Sequence, residues 1–201
     1  MRAVIIGNGT VEDHVYLRSL IHSDDLIICA DGGLRHAKAM DVIPDIAIGD
    51  FDSSEKEERV KTYVYPKRKD FTDGELAVDY AIEHGYDEIM LLGMTGTRLD
   101  HTLTNIMLLA KTENIYIVDD HNEIYIVSSK LILRERKGKT LSIIPVNGDL
   151  CGIVTEGLEY PLNNETLYFG HSRGNSNVIT DDICSITVKN GLGIVVVNDG
   201  E

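Results

Sequence analysis

Tryptophan is absent from this 201-residue chain, cysteine occurs only three times, and no apolar run approaches the length of a membrane span. Basic residues are scarce as well: 19 Lys and Arg stand against 33 Asp and Glu, a formal net charge of −14. Each shortage excludes something. A membrane-crossing helix needs about 20 consecutive apolar residues, so helical insertion is not expected. Cys29, Cys151 and Cys184 are odd in number, widely spaced and set among apolar or β-forming neighbours. They are read as reduced structural residues, not a disulfide framework. An acidic surface repels phosphate polymers and anionic lipid, which makes nucleic acid and membrane poor partners; a small ligand carrying cations suits it better. The opening MRAVIIGNGT has four consecutive apolar residues before Gly7. That is too few for a signal-peptide core, and cytoplasmic residence is expected. Neither a G-x-x-x-x-G-K phosphate loop nor a G-x-G-x-x-G fingerprint occurs, which argues against a P-loop kinase and against a dinucleotide-dependent dehydrogenase.

What is present has two textures. In residues 1–121, short strand-like runs (RAVIIG, LIICA, DIAIG, TYVYP, EIMLLG, NIYIV) alternate with segments of helical period at 11–21, 33–40, 73–84 and 100–111. Such alternation requires crossover connections, hence an α/β N-terminal domain with a mostly parallel sheet. In residues 122–201 the helical period is lost. EIYIVS, KLILRER, KTLSIIPV, CGIVTEG, TLYFG, ICSITVK and GIVVVN follow at short intervals between Gly, Asn and Asp, the pattern of an all-β sandwich C-terminal domain of about seven strands.

The chemistry lies in the acids of the first half. Asp31 follows LIICA, Asp50 and Asp52 follow DIAIG, Asp70 and Asp73 follow TYVYP, and Asp100 opens the helix after EIMLLG. All lie beyond the carboxyl ends of strands, where an open parallel sheet binds its ligands. Carboxylates gathered there repel one another unless a cation joins them. Hard oxygen donors select Mg²⁺, which usually takes one or two carboxylates, several waters and the oxygens of a substrate phosphate. Each acid also has a plainer reading. Asp50 or Asp52 could cap a helix, Ser54 with Glu57 and Thr72 with Glu75 have capping-box spacing, Asp73 suits a helix N-terminus, and Asp31 could start a turn in which Gly32 and Gly33 supply positive φ. Capping could equally use Ser or Asn, so the recurrence of Asp in four loops carries the metal reading. Lys67, Arg68 and Lys69 precede Asp70, and Arg98 offers a forked donor to phosphate oxygens.

An ordered set of segments resembles the thiamin pyrophosphokinases: ADGG at 30–33, PDIAIGDFDSS at 44–54, KDFTDGELA at 69–77, GMTGTRLDHTLTNIMLL at 93–109 and NSN at 175–177. The resemblance implies an α/β nucleotide-binding half, a β-sandwich half that binds thiamin, and a homodimer whose active sites are shared between subunits. It further implies that Asp50, Asp52 and Asp73 hold Mg²⁺ and that Asp31, Gly32, Gly33, Lys69, Asp70, Arg98 and Asn105 line the ATP site. Ser176 and Asn177 would belong to the thiamin pocket. Asp100 is the first choice for the base and Asp73 the second. There are departures: Gly96-Thr97-Arg98 stands where relatives often have Gly-Gly-Arg, and GLGIVVV stands where some, chiefly eukaryotic, carry a Trp near the C-terminus.

The implied reaction is pyrophosphoryl transfer from ATP to the thiamin hydroxyl, giving thiamin diphosphate and AMP. Two rivals from other classes are a Mg²⁺-dependent phosphohydrolase with Asp50 as nucleophile, and a nucleotide-binding regulatory module without turnover.

Overall fold

A computed structural model describes residues 1–49, 60–64 and 70–200. The chain divides into two compact units, Met1–Asp120 and His121–Glu201.

Among the described residues the first unit carries six parallel strands: β1 (Arg2–Ile6), β2 (Leu26–Ala30), β3 (Ile46–Gly49), β4 (Lys61–Val64), β5 (Glu88–Leu92) and β6 (Ile115–Val118). Their order is β4-β3-β2-β1-β5-β6. The chain therefore winds outward from β1 in one direction and, after β4, resumes on the other side. That reversal places a topological switch point between β1 and β5, and a crevice opens at the carboxyl ends of two such strands. Strands buried on both faces read as continuous apolar runs, and Ala3 to Ile6 and Ile89 to Leu92 are all at most 2% exposed. Val4 and Ile6 pack with Leu17 of α1 (His14–Ser19) and Ala37 of α2 (Leu34–Ala39). The alternate positions, Ala3 and Ile5, face the other side. There α3 (Asp73–Glu83) lies on β1, β2 and β3 through Ala77, Val78 and Ala81, all fully buried, and α4 (Leu99–Leu108) packs beside it.

The helix expected over 11–21 is shorter than its period suggested. Asp13 caps α1 by accepting from the Tyr16 amide at 2.8 Å. The Glu12 and Asp13 amides donate to the Asp120 carboxylate, also at 2.8 Å, which holds this stretch as a loop. Thr72 caps α3 as its spacing predicted, accepting from the Glu75 amide at 3.1 Å.

The second unit pairs two antiparallel sheets. One has the order β12-β9-β14-β7 and the other β11-β10-β13-β8. Their strands are β7 (Asn122–Val127), β8 (Lys130–Arg134), β9 (Thr140–Pro145), β10 (Leu150–Glu156), β11 (Asn163–Leu167), β12 (Asn177–Val178), β13 (Ile183–Thr187) and β14 (Gly193–Asn198). Inward-facing residues of both sheets, among them Leu141, Val195, Val197, Ile153 and Ile186, form one core. The all-β sandwich is thus present with eight strands. The strand expected at TLYFG instead spans Asn163–Leu167; it is an edge strand paired to β10 across a bulge at Gly152 (φ +65°), and Tyr168 and Phe169 lie beyond it, exposed.

Candidate active site

The crevice at the switch point is a cleft of about 550 Å³. Two loops form its floor: Gly7 to Thr10 after β1, and Gly93 to Arg98 after β5. They run side by side, with the Gly7 amide donating to Leu92 O at 2.8 Å, Gly9 to Gly93 O at 2.6 Å and Thr10 to Thr95 O at 2.8 Å. The approach is so close that a Cβ on Gly9 would lie 2.1 Å from Thr95 O. None of the site residues expected from the sequence lies in this GNGT loop. Its signal in the sequence is two glycines directly after the first strand, at the point where backbones must nearly touch.

Asp31, Asp73, Arg98 and Asn105 all line the cleft. Asp31 enters it from the end of β2 in a left-handed conformation (φ +51°), and its carboxylate accepts from Asn8 Nδ2 at 3.3 Å. Asp and Asn tolerate this region better than other side chains. The expectation that Gly32 and Gly33 supply positive φ is corrected here: Gly33 sits at φ −57°, and the strained residue is Asp31 itself. The two glycines are needed for contact. A Cβ on Gly33 would lie 2.0 Å from Ile6 O and one on Gly32 2.5 Å from the Asn8 side chain. Asp73 is the first residue of α3, where the unpaired amides of the helix start favour negative charge. Asn105 donates to Met94 O at 2.7 Å and so holds the β5 loop from below.

Asp100 and Asp70 are exposed and do not line the cleft. Asp100 forms a two-point ion pair with Arg98, Nε to Oδ1 at 3.2 Å and NH2 to Oδ2 at 2.6 Å. The guanidinium holds the Asp100 carboxyl below its usual range, which makes it a weaker base. Both partners are about two-thirds exposed, and exposed pairs of this kind contribute little to stability. Arg98 can therefore exchange Asp100 for a phosphate at small cost. Asp50, Asp52 and Lys69 lie outside the described residues.

Behind the GNGT loop a buried imidazole holds its carbonyl. His36 Nε2 lies 2.9 Å from Gly9 O, and its Nδ1 lies 2.9 Å from His14 Nε2. A neutral His36 with its proton on Nε2 satisfies both contacts, accepting from His14 at Nδ1. Burial depresses the His36 pKa; the neighbouring Arg35 and His14 act in the same direction, while the Gly9 carbonyl and Asp120 oppose it. The unfolded chain therefore takes up this proton first as pH falls, so stability is full above the ordinary histidine range near pH 6.5 and declines below it. His36→Gln, which keeps a donor for Gly9 O, is expected to flatten that decline. Thermal melts of both proteins between about pH 7.5 and about pH 5 measure it; parallel curves would contradict it.

In the second unit, Ser176 adopts φ +57° and its amide donates to Ser142 Oγ at 3.1 Å. The Asn177 amide binds the Tyr160 backbone at both ends: its Oδ1 accepts from Tyr160 N at 3.1 Å and also from Val178 N at 2.9 Å, and its Nδ2 donates to Tyr160 O at 2.8 Å. This fixes the backbone of an exposed tyrosine against the residue that follows Ser176. GLGIVVV, where some relatives carry Trp, is largely β14, with Val195 and Val197 fully buried.

The sequence profile of "Thiamin pyrophosphokinase, catalytic domain" matches residues 17–119, and that of "Thiamin pyrophosphokinase, vitamin B1 binding domain" matches residues 128–194. The thiamine pyrophosphokinase of Bacillus subtilis (strain 168) is 33% identical over 168 residues, spanning 77% of this chain and 78% of the relative. The chain belongs to the thiamin pyrophosphokinase family. A crystal structure of the Bacillus subtilis thiamine pyrophosphokinase superposes with a TM-score of 0.87 at 27% identity, covering 98% of this chain and 99% of that one. Thiamin pyrophosphokinase from Candida albicans shares the fold at 15% identity, with a TM-score of 0.78 over 98% of this chain and 88% of its own. The family's fold thus persists where most of its sequence has changed.

Proposed function

We infer that this enzyme transfers a pyrophosphoryl group from ATP to the hydroxyl of thiamin, giving thiamin diphosphate and AMP. The observation that carries the reading is the order of the two profiles on one chain, a catalytic one over the α/β unit and a vitamin B1 one over the β unit. Neither rival, a phosphohydrolase or a binding module without turnover, is favoured by any relative reported above.

In the reaction the thiamin hydroxyl oxygen forms a bond to the β-phosphorus while the bond from that phosphorus to the bridging oxygen of the α-phosphate breaks. AMP leaves with that oxygen, and the hydroxyl proton passes to a carboxylate. Such transfers are catalysed mainly by positioning and charge neutralisation. Asp73 and Asp31 line the cleft and offer oxygen only, a donor set that fits a hard divalent cation. With Asp50 and Asp52, Asp73 would hold Mg²⁺, which when bound neutralises charge on phosphate oxygens. Arg98 would turn from Asp100 to the phosphates, Lys69 and Asp70 would contribute to the ATP site, and Gly32 and Gly33 let α2 begin close to the nucleotide. Asn105 keeps the β5 loop in place. For the proton, a cleft-lining position favours Asp73; Asp100 would hold Arg98 until the nucleotide arrives. Ser176 would meet thiamin, and Asn177 would act through Tyr160. A homodimer with sites shared between subunits, and residence in the cytoplasm beside the ATP supply, belong to the same proposal. The net charge of −14 supports the exclusion of nucleic acid. Among the described residues no helix is long and apolar enough to cross a membrane.

Mass spectrometry after incubation with ATP, Mg²⁺ and thiamin tests the reading. Thiamin diphosphate and AMP are expected in equal amounts; ADP with thiamin monophosphate, or an unchanged thiamin, would overturn it.

A further inference from the structure

The cleft presents an anion with an unusual problem. Glycine-rich loops often cradle phosphate with free backbone amides, but here the amides of Gly7, Gly9 and Thr10 are already donated to carbonyls of the β5 strand and loop. With those three amides spent, side chains have to supply more of the positive charge at this floor. Arg98, one cation of the lining, is neutralised by Asp100.

Arg35 is different. It is exposed on the first turn of α2 and lines the cleft. One amino nitrogen of its guanidinium donates to Asn8 O at 3.0 Å and Gly9 O at 2.9 Å. Those two bonds fix the plane of the fork against the GNGT loop. The Nε and the other amino nitrogen have no acceptor among the described residues, and no carboxylate there pairs with the group. Several other arginines of this acidic chain do pair with a carboxylate: Arg2 with Asp25, Arg136 with Glu123, Arg173 with Glu165. A pre-oriented guanidinium with unspent donors, uncompensated inside a cleft, is built to receive an anion.

We propose that Arg35 is a phosphate-binding residue of the nucleotide site, its free edge contacting non-bridging oxygens of the triphosphate. This rests on the ATP reading above. Arg35 supplies the charge that the occupied loop amides cannot, and its anchor on Asn8 and Gly9 ties phosphate binding to the shape of the floor.

Calorimetric titration with inorganic tripolyphosphate, adenosine and ATP separates the possibilities. Arg35→Gln keeps an amide donor for the loop carbonyls and removes the charge. It is expected to bind tripolyphosphate and ATP about 10- to 100-fold more weakly, the range for a charge-assisted hydrogen bond, with adenosine unchanged. Arg35→Lys keeps charge without the fork and should fall between. If adenosine and tripolyphosphate weaken together in Arg35→Lys, the residue only shapes the loop and the proposal is wrong. Unchanged tripolyphosphate affinity in both variants overturns it equally, while ATP binding by the unaltered protein preserves the nucleotide reading. An unaltered protein that binds no ATP would end both.

Discussion

Asp73→Asn is expected to lower turnover by about 10²- to 10⁴-fold, the usual contribution of a positioned acid–base group, and to leave the fold intact. The residue is first in α3 and lines the cleft. Losing its charge at the helix start costs only about 0.3–1 kcal/mol, a shift of a few degrees in Tm for a chain of this size, because Thr72 still caps the helix. Asp100→Asn is the comparison that gives the result meaning. It frees Arg98 from its ion pair, so its effect should fall on the KM for ATP, with a smaller loss of turnover. Steady-state kinetics with ATP and thiamin varied in turn distinguish the two. A severe turnover defect in Asp100→Asn with a mild one in Asp73→Asn would reverse the assignment of the base.

Asn177→Ala should raise the KM for thiamin about tenfold or more, equivalent to about 1.4 kcal/mol of transition-state binding, with the KM for ATP unchanged. The amide secures both the N–H and the C=O of Tyr160, and its removal releases that tyrosine. Water can satisfy the exposed Tyr160 backbone and the amide of half-buried Val178, which also loses its acceptor, so little stability should be lost. If the active sites are shared in a two-fold dimer, mixing Asp73→Asn with Asn177→Ala chains should restore activity. One site of each mixed dimer would draw neither mutant residue, giving up to roughly a quarter of the unaltered rate when subunits exchange at random. The assay is run with thiamin well below its KM, where both parents are nearly silent. A mixed dimer that is demonstrated but inactive would confine each site to one chain.

The sequence by itself determined the fold class, because the two halves bury their surfaces differently. Strands covered on both faces appear as unbroken apolar runs separated by helical period, whereas sandwich strands alternate and are punctuated by turns. It also determined the Thr72 cap and the family, since these reside in short local segments such as KDFTDGELA and TGTRLDH. What the tertiary structure decided depends on how individual loops close and on contacts between segments far apart in the chain. That Asp100 is paired with Arg98 while Asp73 lines the cleft depends on how each helix begins, and both look alike as an Asp after a loop. The strained residue of ADGG proved to be its Asp because α2 starts against Ile6 O, 24 or more positions away in the chain. The shortening of α1 required the Asp120 carboxylate, 107 residues from Asp13. Arg35 offered no signal at all: one exposed arginine on a short helix is unremarkable until the β1 loop spends its Gly7, Gly9 and Thr10 amides on carbonyls of β5 and its loop and leaves Arg35 as an uncompensated charge of the cleft. Local pattern encodes which segments exist and which face they bury, but the partners of a polar group are fixed only when the chain closes on itself.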